Sequence, residues 1–266
     1  MSRIDAALHE LRSLEALAAR DTPLARIDPR AKVLATMAFI VAVVSFDRYS
    51  VAALLPLALF PAALAALGEV PAAPLARKLL AAAPFAVFVG IFNPLLDRAP
   101  MLAYGNLAIA AGWVSFASIL VRFALTVGAA LVLVAATGMH PLCAALGRLG
   151  VPQVFTVQLL FLFRYAFVLG AEASRMTVAR ELRSCGRGMA LAAYGPLLGH
   201  LLLRAFERAQ RIHWAMLARG FDGELRSLRT LRWATRDTIF VLGWCLFAVR
   251  VSRAHWPDTR LASITN

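Results

Sequence analysis

Long runs without a charged residue, separated by short basic segments, restrict this chain more than any other feature of its sequence. The uncharged runs cover residues 33–46, 51–67, 79–96 and 238–249. A helix needs about 20 apolar residues to cross the hydrocarbon core of a bilayer. Only 16% of the 266 residues are charged, whereas soluble domains carry about a quarter. The pattern therefore predicts an all-α integral membrane protein.

The basic segments predict its orientation, because loops on the cytoplasmic side carry an excess of Lys and Arg. Arg30 and Lys32 precede the first run, and Arg77 and Lys78 end the loop after the second run. We therefore expect both segments to lie inside. The formal net charge of +13 agrees with a chain that keeps a basic part in the cytoplasm.

The stretch at 99–147 contains one charge, Arg122. A Tyr-Gly-Asn turn at 104–106 and Gly112 interrupt its first part, so an outer loop or hairpin followed by one span at about 113–138 is expected. These segments predict about five transmembrane helices. The N-terminus is expected in the cytoplasm, and the ending HWPDTRLASITN is expected to be an outer polar tail.

The region after residue 148 allows two interpretations. Residues 149–163 are uncharged and 188–203 are nearly so, which is compatible with two more spans. Two crossings would place a group of arginines on the outer face and Arg164 within a lipid-facing helix, both of which are unfavourable. The arginines in question are Arg175, Arg180, Arg183 and Arg187. We therefore expect both stretches to lie along the inner membrane surface as amphipathic helices.

Few residues suit catalysis or metal binding. The cysteines Cys143, Cys185 and Cys245 are far apart, and the five histidines are scattered, so neither a disulfide framework nor a metal site is indicated. Carboxylates in the basic region have arginine neighbours and are interpreted as ion pairs: Glu172, Glu181, Glu207 and Asp222. We expect no catalytic residue, no metal ligand and no cofactor. Nucleic acid is not an expected partner, because no basic stripe carries interleaved stacking aromatics.

One short motif occurs twice, as ARELRS at 179–184 and AMLARG at 215–220. The matching positions are Ala179, Arg183 and Ser184 in the first copy and Ala215, Arg219 and Gly220 in the second. Gly186 and Gly188 follow the first copy and Gly220 and Gly223 the second, so each copy is predicted to end a helix. An arginine at such an end offsets the helix dipole and projects outward, which suits insertion into an acidic groove. Plain helix capping and attraction to an anionic lipid surface are the alternatives.

Together with DPRAK near the start, ARELRS and AMLARGFDG resemble the transmembrane (T) component of energy-coupling factor transporters, most closely the cobalt-type CbiQ family. The resemblance covers nearly the whole chain, and AMLARGFDG is its most specific element. It implies that Arg183 and Arg219 dock in grooves of a pair of ATPase subunits. Small residues would allow the close approach: Ala179, Ser184, Ala215, Ala218 and Gly220. The first copy departs from the family pattern, with Leu182 and Ser184 where Ala and Gly match better.

The resemblance implies four parts, which are a cytoplasmic segment (1–32), a four-span membrane bundle (33–140), a cytoplasmic coupling module (141–232) and a last transmembrane helix with an outer tail (233–266). It implies a non-catalytic coupling subunit of an ATP-driven cobalt importer in the bacterial cytoplasmic (inner) membrane. Its partners would be the ATPase pair, a small substrate-binding membrane subunit and membrane lipid. The alternatives are a subunit of a vitamin importer, for example for biotin, and a self-sufficient channel or carrier with Arg122 along its path.

Overall fold

The computed structural model describes residues 9, 12–13, 15–46, 51–96, 100–104, 107–184, 191–223 and 233–261. The contacts divide the chain into two compact units. The bundle unit comprises Leu17–Gly138 and Leu231–Asn266. The helix-pair unit comprises Met1–Ala16 and Met139–Thr230.

The described elements are almost all helical. In chain order they are a 3-10 helix (Pro23–Arg26), α1 (Pro29–Ser45), α2 (Val51–Leu54), a 3-10 turn (Pro56–Ala58), α3 (Leu59–Leu67), α4 (Ala72–Gly90), α5 (Phe92–Leu96), β1 (Pro100–Tyr104), β2 (Leu107–Ala110), α6 (Ala111–Thr137), α7 (Met139–Arg148), α8 (Gln153–Arg183), a 3-10 turn (Leu191–Ala193), α9 (Tyr194–Leu217) and α10 (Thr235–Leu261). Helices α7, α8 and α9 belong to the helix-pair unit, and the other elements belong to the bundle unit.

Among the described residues, three helical segments are long and apolar enough to cross a membrane. They are Ala72–Pro94, Gly112–Thr137 and Gln153–Arg183. This confirms the all-α membrane class, while the number of crossings stays a prediction. The third segment is the one for which the sequence suggested a surface position, and its length and composition alone also permit a crossing.

Side-chain contacts show that the helices of the bundle unit alternate in direction. A Cβ atom added to Gly68, just after α3, would lie 2.9 Å from the Cβ of Ala136 near the end of α6 and 3.3 Å from Leu24, just before α1. At the same end, the backbone N–H of Asp28 donates to Asp237 near the start of α10 (2.9 Å). We call this the basic end, because basic residues flank its helix termini: Arg26, Arg30, Lys32, Arg77, Lys78 and Arg236.

Contacts at the opposite end agree with this alternation. A Cβ on Gly90, at the end of α4, would lie 2.8 Å from the ring of Phe116 near the start of α6. Asn93 Nδ2 donates to Ser115 Oγ at 2.9 Å. Helices α1, α4 and α10 therefore start at the basic end, whereas α3 and α6 finish there. The chain consequently leaves the bundle unit after Gly138 and returns to it at the same end.

Charged side chains hold both termini of α1. Asp28 caps its first turn by accepting from the N–H of Arg30 (2.9 Å), and the buried Asp237 accepts from the N–H groups of Asp28 and Ala234. At the other terminus, Arg122 of α6 donates to the carbonyl of Val44 (3.4 Å). A carboxylate therefore lies at the positive end of the α1 dipole and a guanidinium at its negative end, as electrostatics favours.

An aromatic cluster forms part of the bundle core. Phe60 of α3 stacks on Phe39 of α1 with ring centroids 4.4 Å apart, and its edge contacts Trp244 of α10 at 4.8 Å. Gly112 lies at the start of α6, next to the expected start of that span. Helix α10 continues into the expected tail as far as Leu261. The expected hairpin is present as antiparallel β1 and β2.

Candidate functional site

The first motif occupies the end of α8. The Ser184 N–H donates to the carbonyls of Arg180 (3.0 Å) and Glu181 (3.2 Å), and its hydroxyl donates to Glu181 at 2.8 Å. This satisfies part of the last helical turn without a glycine. Ala179 and Arg183 are exposed beside it. Gly186 and Gly188, expected to follow this helix end, lie outside the described residues.

The second motif ends α9 with a defined backbone pattern. Phe221 N–H donates to the carbonyl of Met216, and Gly220 N–H donates to that of Leu217, each at 3.0 Å. Gly220 has a φ of +76°, which side chains disfavour and glycine adopts freely. These are the hydrogen bonds of a Schellman helix terminus. Arg219 is the residue before the left-handed glycine, and its side chain is exposed.

Helices α8 and α9 run antiparallel, so they carry the two motifs to opposite ends of the pair. Arg183 and Ser184 line a groove with Leu197 and His200 from the start of α9. Ala215, Arg219 and Gly220 line a different groove, with Phe161 and Tyr165 from the first half of α8. At 1.5 Å per helical residue, Tyr165 and Arg183 are roughly 27 Å apart along α8. The structure thus separates the two arginine tips.

The groove at the first motif is basic. It has a volume of about 820 Å³ and is lined by these charged and imidazole side chains among others: Glu172, Arg175, Arg180, Arg183, His200 and Arg204. Glu172 accepts hydrogen bonds from Arg175 at 2.7 Å and from Arg204 of α9. It therefore links the two helices and offsets part of the local positive charge. The sequence interpretation of Glu172 as an ion-pair residue is confirmed.

A second surface between α8 and α9 was not foreseen from the sequence. We call it the apolar slot; it has a volume of about 580 Å³ and is lined mainly by aliphatic and aromatic side chains, including Val157, Phe161, Leu169, Leu202 and Phe206. A helical periodicity reveals that a helix has an apolar face, but it does not reveal that two facing helices leave space between them. The sequence alone therefore could not predict the slot.

The other polar residues considered from the sequence make contacts within the fold. Arg122 donates to Ser118 as well as to Val44 and so joins α6 to α1. Asn93 bonds to Ser115 within the bundle unit. Burial raises the pKa of the Cys143 thiol, with a smaller opposing effect from a backbone hydrogen bond. Within the described ranges, no group of three or more His, Cys, Asp or Glu side chains is placed to hold a metal ion.

The helices define a multi-pass α-helical membrane protein. Residues 20–230 match the family model CbiQ, described as cobalt transport protein. The chain belongs to this family, which confirms the resemblance drawn from DPRAK, ARELRS and AMLARGFDG.

Individual relatives match over shorter stretches. The cobalt transport protein CbiQ of Rhodobacter capsulatus is 34% identical over 91 residues, 34% of this chain and 37% of that protein. An uncharacterized protein of Methanocaldococcus jannaschii is 32% identical over 87 residues, 32% of either chain. A second protein of that organism is 25% identical over 124 residues, 46% of this chain and 42% of the relative. The matches therefore span well under half the length of each relative.

Proposed function

We propose that the chain is the transmembrane coupling subunit of an ATP-driven importer of the energy-coupling factor type. A separate ATPase pair docks on Arg183 and Arg219, and a separate small membrane subunit binds the substrate. The proposal rests above all on the two exposed arginine tips at opposite ends of the α8–α9 pair. A separation of roughly 27 Å suits one tip in each of two subunits better than both tips in one groove.

The direction of the bundle helices supports a cytoplasmic position for the helix-pair unit. The chain leaves the bundle unit and returns to it at the basic end, so residues 139–230 make either no crossing or an even number of crossings. Two crossings would carry Arg175, Arg180 and Arg183 to the outer face, against the usual charge bias. We therefore assign no crossing to α8 and α9.

The mechanism is mechanical. The sequence has no GxxxxGK[ST] phosphate loop, so nucleotide hydrolysis is assigned to the partner subunits. Closure of the ATPase pair on ATP draws the two docked helix ends together, and α8 and α9 transmit this movement as rigid levers to the substrate-binding subunit. A Schellman terminus suits the transmission of movement, because its hydrogen bonds keep the end of α9 ordered.

Membership of the cobalt transport family favours cobalt over a vitamin as the transported substrate. The carrier alternative receives less support, because Arg122 bonds the carbonyl end of α1 and the Ser118 hydroxyl. These contacts suit an arginine that joins two helices.

Co-expression with the candidate ATPase and substrate-binding subunits tests the proposal. Arg219→Glu should lower the amount of ATPase that copurifies at least tenfold, since it reverses the charge of a buried docking contact. Arg183→Glu should have a similar or smaller effect, because the first motif departs from the family pattern. Arg211→Glu is the matched control: it lies on α9, is 69% exposed and pairs only weakly with Glu207. Equal copurification in all three variants would exclude the docking role.

Accessibility labelling tests the topology separately. In a background with Cys143, Cys185 and Cys245 replaced, a single cysteine at position 183 or 219 should react with a membrane-impermeant thiol reagent only in inverted vesicles. Labelling from the periplasmic side would contradict the assigned position of α8 and α9.

A further inference from the structure

The apolar slot adjoins the groove of the second motif. Five side chains line both: Phe161, Tyr165, Ile212, Met216 and Phe221. Arg164 and Arg219 of the groove therefore lie next to the slot. A ligand that reached from one to the other would have an apolar portion between the helices and a polar portion beside Arg164.

The dimensions of the slot suit a hydrocarbon chain. Along α9 its lining runs from Leu202 to Met216, roughly 21 Å at 1.5 Å per residue. Half of the hydrocarbon core of a bilayer, roughly 15 Å, is the depth that one acyl chain fills. The small side chains of Ala205 and Ala209 on α9 leave space opposite the large side chains of α8. The slot is thus long and narrow enough to hold one acyl chain.

The charges at its open end suit an anionic headgroup. Arg164 and Arg219 line the adjoining groove of about 560 Å³, and Asp222 is the one carboxylate among the lining residues that the structure describes. Arg208 lines the slot itself. Guanidinium groups bind phosphate through paired N–H donors. The excess of positive charge beside an apolar slot therefore selects an anionic amphiphile over a neutral one.

We infer that the slot and its adjoining groove bind one anionic phospholipid of the cytoplasmic leaflet. One acyl chain lies between α8 and α9, and the phosphate lies at Arg164, so that Arg219 stays available for the ATPase groove. This inference rests on the proposed position of the two helices at the cytoplasmic membrane surface, where such lipids are present. The bound lipid would complete the α8–α9 pair, since it covers the exposed side chains of Leu202 and Phe206 along the slot.

Lipid retention by the purified full-length chain tests the inference. Native mass spectrometry would compare phosphatidylglycerol with phosphatidylcholine of identical acyl chains. We expect the unaltered chain to retain one phosphatidylglycerol with about tenfold preference, the size of one charge-assisted contact. Arg164→Gln should remove the preference, and Ala209→Phe, which fills the slot, should remove retention of both lipids. Arg211→Gln, outside both linings, should change neither.

Several results would overturn it. Equal retention of the two lipids by the unaltered chain, or equal losses in Arg164→Gln and Arg211→Gln, would exclude a specific headgroup site. Thermal stabilisation by inorganic phosphate equal to that by short-chain phosphatidylglycerol would exclude a role for the slot. If Ala209→Phe abolished ATPase copurification but left lipid retention intact, the slot would belong to a protein partner.

The two proposals can fail independently. Lipid retention is measured on the isolated chain, whereas docking is measured by copurification of the ATPase. An Arg219→Glu variant that still copurifies with the ATPase would contradict the docking role. The lipid preference would then be judged separately, from the Arg164→Gln variant.

Discussion

The two units of the chain differ in how completely they bury their own side chains. In the bundle unit, α1 has buried residues along its length and both of its termini are held by charged partners. In the helix-pair unit, α9 has no buried residue in any of its turns. A helix pair that leaves this much apolar surface uncovered depends on other molecules for its packing. Helix α1 is thus packed by the chain itself, whereas the apolar face of α9 is left for other molecules to cover.

The largest effect is expected when one aromatic side chain is removed from each unit in turn. Phe60 is 1% exposed and touches Phe39 and Trp244, whereas Trp214 of α9 is 68% exposed. Phe60→Ala should lower the free energy of unfolding of the isolated chain by about 3 kcal/mol, the lower end of the range for buried Phe, because the surrounding lipid is itself apolar. Trp214→Ala should change it by less than about 0.5 kcal/mol.

Thermal unfolding in nanodiscs would measure both variants. The comparison breaks if Trp214→Ala destabilises the isolated chain as much as Phe60→Ala does, since α9 would then be packed as tightly as the bundle.

A smaller effect is expected at the junction of α1 and α10. Asp237 is 1% exposed and accepts from two backbone N–H groups, so Asp237→Ala leaves a buried donor without its acceptor. We expect a loss of about 2 kcal/mol. Asp237→Asn, which keeps one acceptor oxygen, should lose less.

The matched control for Asp237 is Asp21→Ala. Asp21 is 82% exposed and lies 3.8 Å from Arg26, and an exposed pair of this kind contributes less than about 1 kcal/mol. Equal unfolding midpoints for Asp237→Ala and Asp21→Ala would show that the junction does not stabilise the bundle.

The sequence predicted the positions of the bundle helices well, because burial in lipid leaves long uncharged runs. The run at 33–46 corresponds to α1, which ends one residue earlier, and the span expected at 113–138 corresponds to α6. The second run was harder to foresee in detail: 51–67 folds as α2, a 3-10 turn and α3, since Pro56 removes a donor from the helix.

The sequence could not predict contacts between residues that are far apart along the chain. Asp28 and Asp237 are 209 residues apart, and no local pattern links a capping aspartate to a second carboxylate in a later helix. At the candidate site, the glycines after the two motif copies predicted that each copy ends a helix, and α8 and α9 end there. The grooves and the antiparallel order of α8 and α9 depend on how two long helices pack, which the sequence alone does not specify.

The smallest effect is expected when each of two glycines in and after α9 is replaced by alanine. Gly220 has a φ of +76°, whereas Gly199 lies in the helix body with open space around its Cβ position. Gly220→Ala should destabilise the end of α9 by about 1 kcal/mol, because alanine disfavours the left-handed region. Gly199→Ala should stabilise α9 by about 0.5 kcal/mol, through lower entropy of the unfolded chain. Asparagine at 220, which tolerates this conformation, should cost less than alanine.

Hydrogen exchange of the amides at 220 and 221 would report the change directly, since both donate to the last turn of α9. We expect faster exchange at these two amides in Gly220→Ala and no acceleration in Gly199→Ala. Copurified ATPase should fall in the first variant and hold steady in the second, because only the first loosens the helix end that carries Arg219. Faster exchange with unchanged ATPase binding would mean that the rigid terminus does not serve docking, and the contrast between a stable bundle and a binding pair would lose its functional meaning.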